Sequence, residues 1–136
     1  MALKLTLKPN ERVVVNGCVI RNSDRRHVLV IENRADVVRE DELLDETAAG
    51  SPVGRVYFLM QTALMRADLR SRLTPEIQRL LADLVPVFRP ETTASLFAAA
   101  NFVSMGNFYK AMRMMRPVLH HEARVLDYMA QTATQA

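Results

Sequence analysis

A chain of 136 residues suffices for one ordinary domain or two small modules sharing a core, and is too short for two large independent cores. Apolar residues at 49% and charged residues at 24% describe a globular chain rather than a disordered one, while the absence of Trp and the presence of only four Gly argue against stacking platforms and glycine-rich loops. The formal charge of +3 permits an anionic partner without demanding one, because charge steers association only where it clusters.

Leu3 to Lys8 reads Leu-Lys-Leu-Thr-Leu-Lys, a period of two that places Leu3, Leu5 and Leu7 on a buried face and Lys4, Thr6 and Lys8 on the outward one. Pro9-Asn10 breaks this strand, and Arg12 to Val15 forms a second. Asn16-Gly17 is a strong hairpin signal because both residues tolerate positive φ. Cys18 to Asn22 is the return strand. Asn22-Ser23-Asp24 supplies another turn, His27 to Glu32 a fourth strand, Asn33 to Asp36 a further turn, and Val37 to Arg39 a short fifth strand. These five strands, with the acidic run that follows, make a β domain over residues 1–46.

Residues 47–54, rich in Ala, Gly and Ser, read as a linker to a helical domain over 55–130. Tyr57, Met60, Leu64 and Ala67 recur at helical spacing within a first helix from Arg55 to Leu73. Thr74-Pro75-Glu76 resembles a helix start: Thr can cap, Pro is tolerated in the first turn, and Glu suits the positive helix end. This second helix is expected to end near Val85, with Pro86 and Pro90 bracketing the stop. A third helix spans about Glu91 to Met105, and a fourth starts after Gly106-Asn107. Pro117 is expected to kink or divide it, leaving a final segment to about Tyr128 and a frayed tail over 131–136. The fold class is therefore α+β: a small five-stranded antiparallel domain followed by a bundle of four or five helices.

Charge is unevenly distributed. Residues 1–39 hold eight Lys or Arg against four Asp or Glu; Glu40, Asp41, Glu42, Asp45 and Glu46 then reverse the sign; and ten basic residues face six acidic ones from 51 onward. A single cysteine, Cys18, cannot form an intramolecular disulfide and suits a reducing cytoplasm. The alternating N-terminus lacks the uninterrupted apolar stretch of a signal peptide, and no run approaches the roughly 18 apolar residues of a membrane span. A soluble cytoplasmic protein is expected.

Catalytic constellations are absent from the pattern. The four glycines match no Walker or dinucleotide spacing. His120 and His121 are neighbours, so on a helix they point about a hundred degrees apart and do not share a metal with Glu122. Cys18, with His27 as a base, is outweighed by the ordinary role of cysteine in an apolar strand, which is core. The carboxylates at 40–46 suit a solvated joint. No metal or cofactor is expected, and no enzymatic activity. Met105, Phe108, Tyr109, Met112 and Met115 gather adaptable side chains that suit either a helix core or a surface for a partner or a second copy.

With no aromatic residue before Tyr57, the β half has no stacking surface for nucleic acid, and contact would rest on Arg and Lys with strand-edge backbone. Lys4, Thr6, Lys8 and Arg39 are candidates, with Arg25 and Arg26 at a turn. The competing reading is that these residues solubilise the sheet and blunt its edge.

The opening LKLTLKPNERVVVNGCVIRN, then DRRHVLVIENRADVVRE, and RVYFLMQTAL and NFYKAMRMMRPVLHHE in the helical half resemble the FlbT family of flagellin-biosynthesis repressors of alphaproteobacteria. That resemblance implies a non-enzymatic post-transcriptional regulator that associates with the 5′ untranslated region of flagellin mRNA and lowers its stability or translation. Some members are thought to act positively. Leu3-x-Leu5-Thr6, Asn10-Glu11, Asn16-Gly17 and Val38-Arg39-Glu40-Asp41-Glu42 are also similar to the CsrA family of small dimeric RNA-binding proteins. Matched by position, that family's contacts fall on Thr6, Leu7, Lys8 and Arg39, although Leu7 stands where the family has a basic residue.

The expected function is binding of a flagellin mRNA leader by Lys4, Thr6, Leu7, Lys8, Arg25, Arg26 and Arg39, chiefly along an edge formed by the first and fifth strands, in a homodimer or higher homo-oligomer. The rival is a protein-binding flagellar assembly factor that holds another regulator or flagellin through its Met-rich helices and affects mRNA only indirectly.

Overall fold

The computed structural model describes residues 2–135, and the chain divides into two compact units, one up to Leu43 and one from Leu44. The first unit contains five strands: β1 (Leu3–Leu7), β2 (Arg12–Val15), β3 (Cys18–Arg21), β4 (His27–Ile31) and β5 (Val37–Arg39). All pairings are antiparallel, and they form two sheets, β1 with β4 and β3-β2-β5. Asn16 at φ 49° and Gly17 at φ 81° turn β2 into β3, so that Val15 faces Cys18 and Val13 faces Ile20. Leu5, Leu7 and Val13 form a buried cluster against Val15, Ile20, Leu29, Ile31 and Val37. Each fully buried aliphatic side chain contributes about 1.5–3 kcal/mol by leaving water.

Three expectations change in this unit. The first and fifth strands share no ladder: β1 pairs only with β4 and β5 only with β2, in separate sheets. Leu3 is 46% exposed at the end of its strand. Cys18 is exposed rather than core, since it opens β3 immediately after the turn.

The second unit holds α1 (Pro52–Met65), α2 (Arg70–Leu84), α3 (Pro90–Ser104) and α4 (Phe108–Gln135). Helix α1 begins three residues earlier than its apolar spacing suggests, inside the expected linker: the Ser51 hydroxyl accepts from Gly54 N, and Pro52 occupies the first turn. It also ends earlier. The Arg70 guanidinium donates to the carbonyls of Ala63 (2.7 Å) and Leu64 (3.1 Å), satisfying the end of α1, and Arg66 forks onto Asp68 at the break. Thr74 consequently does not cap a helix. Its hydroxyl donates back to Arg70 O within α2, and Pro75 lies inside that helix, where the carbonyl left without an amide partner is on exposed Ser71.

Helix α4 packs on α1 and α3 and is not divided at Pro117. It continues to Gln135 through most of the expected tail, whose last residue, Ala136, lies outside the described residues. Glu122 on α4 is buried, and its carboxylate accepts from Val53 N at 2.9 Å, placing a negative group at the start of α1. Segment 44–46, expected with the strands, belongs to this unit: Leu44 exchanges two hydrogen bonds of 2.9 Å with the Gln61 side chain. No helix is long and apolar enough to cross a membrane among the described residues.

Candidate nucleic-acid interface

Two polar side chains, Glu11 and Asn22, organise the end of β1. Pro9 and Asn10 break the strand, with Asn10 at φ 63°, a left-handed conformation that Asn tolerates better than most residues. The turn brings Glu11 back under its own strand. Its Oε1 accepts from Lys8 N at 2.8 Å and its Oε2 from Arg39 Nη2 at 3.0 Å. The Lys8 backbone amide, followed by the Arg39 guanidinium, holds the Glu11 carboxyl below its ordinary value of 4.5, against the opposing effect of burial.

Arg39 Nη2 also donates to Thr6 O at 3.0 Å, so both of its hydrogens are used within the chain. This side-chain bridge, rather than a shared ladder, joins the first and fifth strands. Arg39 N donates to Glu42 Oε1 at 2.8 Å, which fixes the exit from β5. Nε and Nη1 of a guanidinium that is 35% exposed then remain available to an outside acceptor.

Asn22 supplies the second anchor. Its Nδ2 lies 2.8 Å from Lys8 O, 2.8 Å from Arg25 O and 3.2 Å from Leu7 O, while its Oδ1 accepts from Ser23 N at 2.9 Å and faces His27 Nδ1 at 3.0 Å. Since Oδ1 can only accept, His27 carries its proton on Nδ1 in this contact. One buried amide thus ties the end of β1 to the turn that carries Arg25 and Arg26.

Of the residues singled out from sequence, Thr6, Lys8, Arg25 and Arg39 belong to this network, the first three through their backbone. Arg26 is exposed on the same turn. Lys4 is exposed on β1, opposite Val30. Leu7 is 3% exposed: it shares the inward face with Leu5, so its side chain cannot reach a ligand.

A depression of about 300 Å³ is lined by Lys8, Glu11, Arg39, Glu40 and Asp41. Three carboxylates outnumber two cations there. Such a lining offers donors and acceptors to a base edge, but it is no trap for bare phosphate. In the sequence Asn22 reads as the end of a strand and the start of a turn, and Glu11 as part of a motif. A charged residue between two apolar strands was the available signal for Glu11.

In the helical unit Phe108, Met112 and Met115 are core, because they share the face of α4 that packs on α1 and α3. Of the five residues proposed as a partner surface, Met105 is exposed and Tyr109 half-buried. The apolar face of α4 instead continues past Glu122 into exposed Val125, Leu126 and Met129. His120, His121 and Glu122 do not converge: His121 lies against Phe88, with ring centres 6.2 Å apart, and Glu122 turns inward to Val53.

The family model for flagellar protein FlbT matches residues 3–126. A protein of Caulobacter sp. (strain K31) called a probable flagellum biosynthesis repressor protein FlbT is 33% identical over 131 residues, covering 96% of this chain and 100% of that protein. One of Rhodopseudomonas palustris (strain TIE-1) with the same description is 35% identical over 134 residues, covering 93% and 99%. The flagellum biosynthesis repressor protein FlbT of Caulobacter vibrioides (strain ATCC 19089 / CIP 103742 / CB 15) is 30% identical over 131 residues, covering 96% and 93%. No solved structure matches. By its residues 3–126 and by these relatives along nearly its full length, the chain belongs to the FlbT family of flagellar proteins.

Proposed function

We propose that this protein is a regulator of flagellum biosynthesis that acts on flagellin mRNA, with the strand-rich unit reading the 5′ untranslated leader. The relatives' description as flagellum biosynthesis repressors supports the regulatory role. The observation that carries the RNA reading is the network in which Glu11 and Asn22 fasten Thr6, Lys8, Arg25 and Arg39 into one framework. In this reading Nε and Nη1 of Arg39 meet a base edge, while Lys4, Lys8, Arg25 and Arg26 take phosphates around it.

The test is the affinity of the purified protein for the flagellin leader against a scrambled RNA of equal length. Arg39→Ala should cost at least about 1 kcal/mol on the leader and erase the preference, whereas Arg25→Gln should weaken both RNAs alike. An undiminished leader preference in Arg39→Ala overturns the assignment. Amide exchange in the same variant checks that the loss is not merely the loss of the Glu11 partner.

A second reading, docking of a protein on the helical unit, is favoured by uncovered Leu126 and Met129, 47% and 58% exposed on α4. This face replaces the Met105 to Met115 cluster as the candidate for self-association. Sedimentation of the wild-type chain against Leu126→Asp tests it: a single monomeric species in both rejects self-association.

A further inference from the structure

The depression at Arg39 carries more negative than positive groups, so electrostatic attraction to a polyanion rests on cations outside its wall. On α4, Lys110, Arg113, Arg116, His120 and Arg124 are separated by three, three, four and four residues, which keeps them on one side of a helix with 3.6 residues per turn. The core residues Phe108, Ala111, Met112, Met115, Val118 and Glu122 occupy the opposite side, centred about 160° away. Lys110, Arg113, His120 and Arg124 are therefore exposed, because the apolar stripe faces inward, while Arg116 is half-buried, with Nε and Nη2 enclosed by protein.

Arg113, Arg116, Pro117, His120 and Arg124 line a depression of about 430 Å³ with no acidic group in its wall. Of the two acidic residues on α4, Glu122 is committed to Val53 N on the buried side, and Asp127 lies one turn beyond Arg124, next to Gln131. Arg113 is braced: its Nη1 donates to the Tyr109 hydroxyl at 3.1 Å, and its guanidinium lies 5.7 Å from that ring. From Arg113 to Arg124 the stripe runs about 16 Å along the helix axis, long enough to meet several successive phosphates. Arginine favours phosphate because its planar fork can donate two parallel hydrogen bonds.

We propose that this face of α4 is a phosphate-backbone contact surface for single-stranded RNA, which recognises charge rather than sequence. The inference rests on the reading that RNA is this protein's partner and adds a surface on the second unit. It separates two tasks. The Arg39 depression discriminates bases, and the α4 stripe adds salt-sensitive affinity for any strand to the phosphate contacts of Lys4, Lys8, Arg25 and Arg26.

The experiment uses the full chain and a fluorescent oligouridylate, with anisotropy measured over about 50–200 mM salt. Arg113→Gln/Arg124→Gln changes two outward side chains and leaves the core untouched. It should lower oligouridylate affinity roughly tenfold at low salt and flatten the log–log salt slope by about 1.4, the expectation of about 0.7 for each of two phosphates. The preference for flagellin leader over scrambled RNA should remain. Unchanged affinity and slope in this variant overturn the inference. If wild type binds fluorescent polyglutamate as tightly as oligouridylate, and the variant loses both, the surface recognises acidic protein and the phosphate assignment is wrong. Oligouridylate binding that depends on α4 without any leader preference supports this inference and rejects the leader-reading role. A leader preference with an inert α4 does the reverse.

Discussion

Asn22→Ala should disturb the strand-rich unit more than any single surface charge. The Asn22 amide has two hydrogens and three nearby carbonyls, so Lys8 O and Arg25 O at 2.8 Å take full bonds while Leu7 O at 3.2 Å shares one. Its oxygen accepts from Ser23 N and from His27. With Asn22 only 9% exposed, truncation strands carbonyls that water reaches poorly, at about 1–3 kcal/mol for each group left unsatisfied. Some of these groups are partly exposed, so the sum is about 2–4 kcal/mol, which corresponds to a lowering of Tm by about 10 °C. Amide exchange of the full chain in urea locates the loss: the paired Leu5 and Leu29 amides should exchange faster, while those of α1 and α4 hold. Leader affinity should fall as well, although no cation has been removed, because Lys8 and Arg25 lose their common anchor. Asn22→Asp should be at least as destabilising, since it turns an acceptor toward carbonyls. A stability loss below about 0.5 kcal/mol would refute the buried-staple argument.

Glu11 should make part of the stability pH-dependent. Its folded pKa is depressed by the Lys8 amide and the Arg39 guanidinium, so its contribution is fully present above the ordinary value of 4.5 and is lost as pH falls through the lower folded value. The stability difference between wild type and Glu11→Gln, from urea midpoints, should therefore be constant near neutrality and shrink in acid; a difference that grows in acid contradicts the sign. Pro117→Ala should stabilise the helical unit by about 1–3 kcal/mol, because it restores an amide inside α4 at a position exposed to solvent. Thermal melts that show no gain would mean that α4 depends on the proline ring for packing. Glu122→Ala should cost about 1–3 kcal/mol by orphaning Val53 N and removing a negative group from the start of α1, visible as faster exchange at Val53.

The alternation of Leu3 to Lys8, the Asn16-Gly17 turn and the helical spacing of Tyr57, Met60 and Leu64 follow from local chemistry. Those features were legible in the sequence for that reason. Helix ends were less so. Thr74-Pro75-Glu76 carries the chemistry of a start, yet α2 begins at Arg70, whose side chain closes α1 by bonding carbonyls six and seven residues earlier. The period of the α4 cations was also present in the sequence, but the commitment of Glu122 to the opposite side was not.

Periodicity, turn chemistry and family motifs are properties of neighbouring residues, and they specify an α+β chain of five short strands followed by helices, the outward positions of Lys4 and Lys8, and the family. The pairing of β1 with β4, the fastening of Lys8, Arg25 and Arg39 by Glu11 and Asn22, and the placement of Phe108, Met112 and Met115 in the core rather than on the surface emerge from the folded chain. Each of those outcomes depends on contacts between residues distant in the chain, where a hydrogen bond or a buried face is fixed by packing that no local pattern specifies.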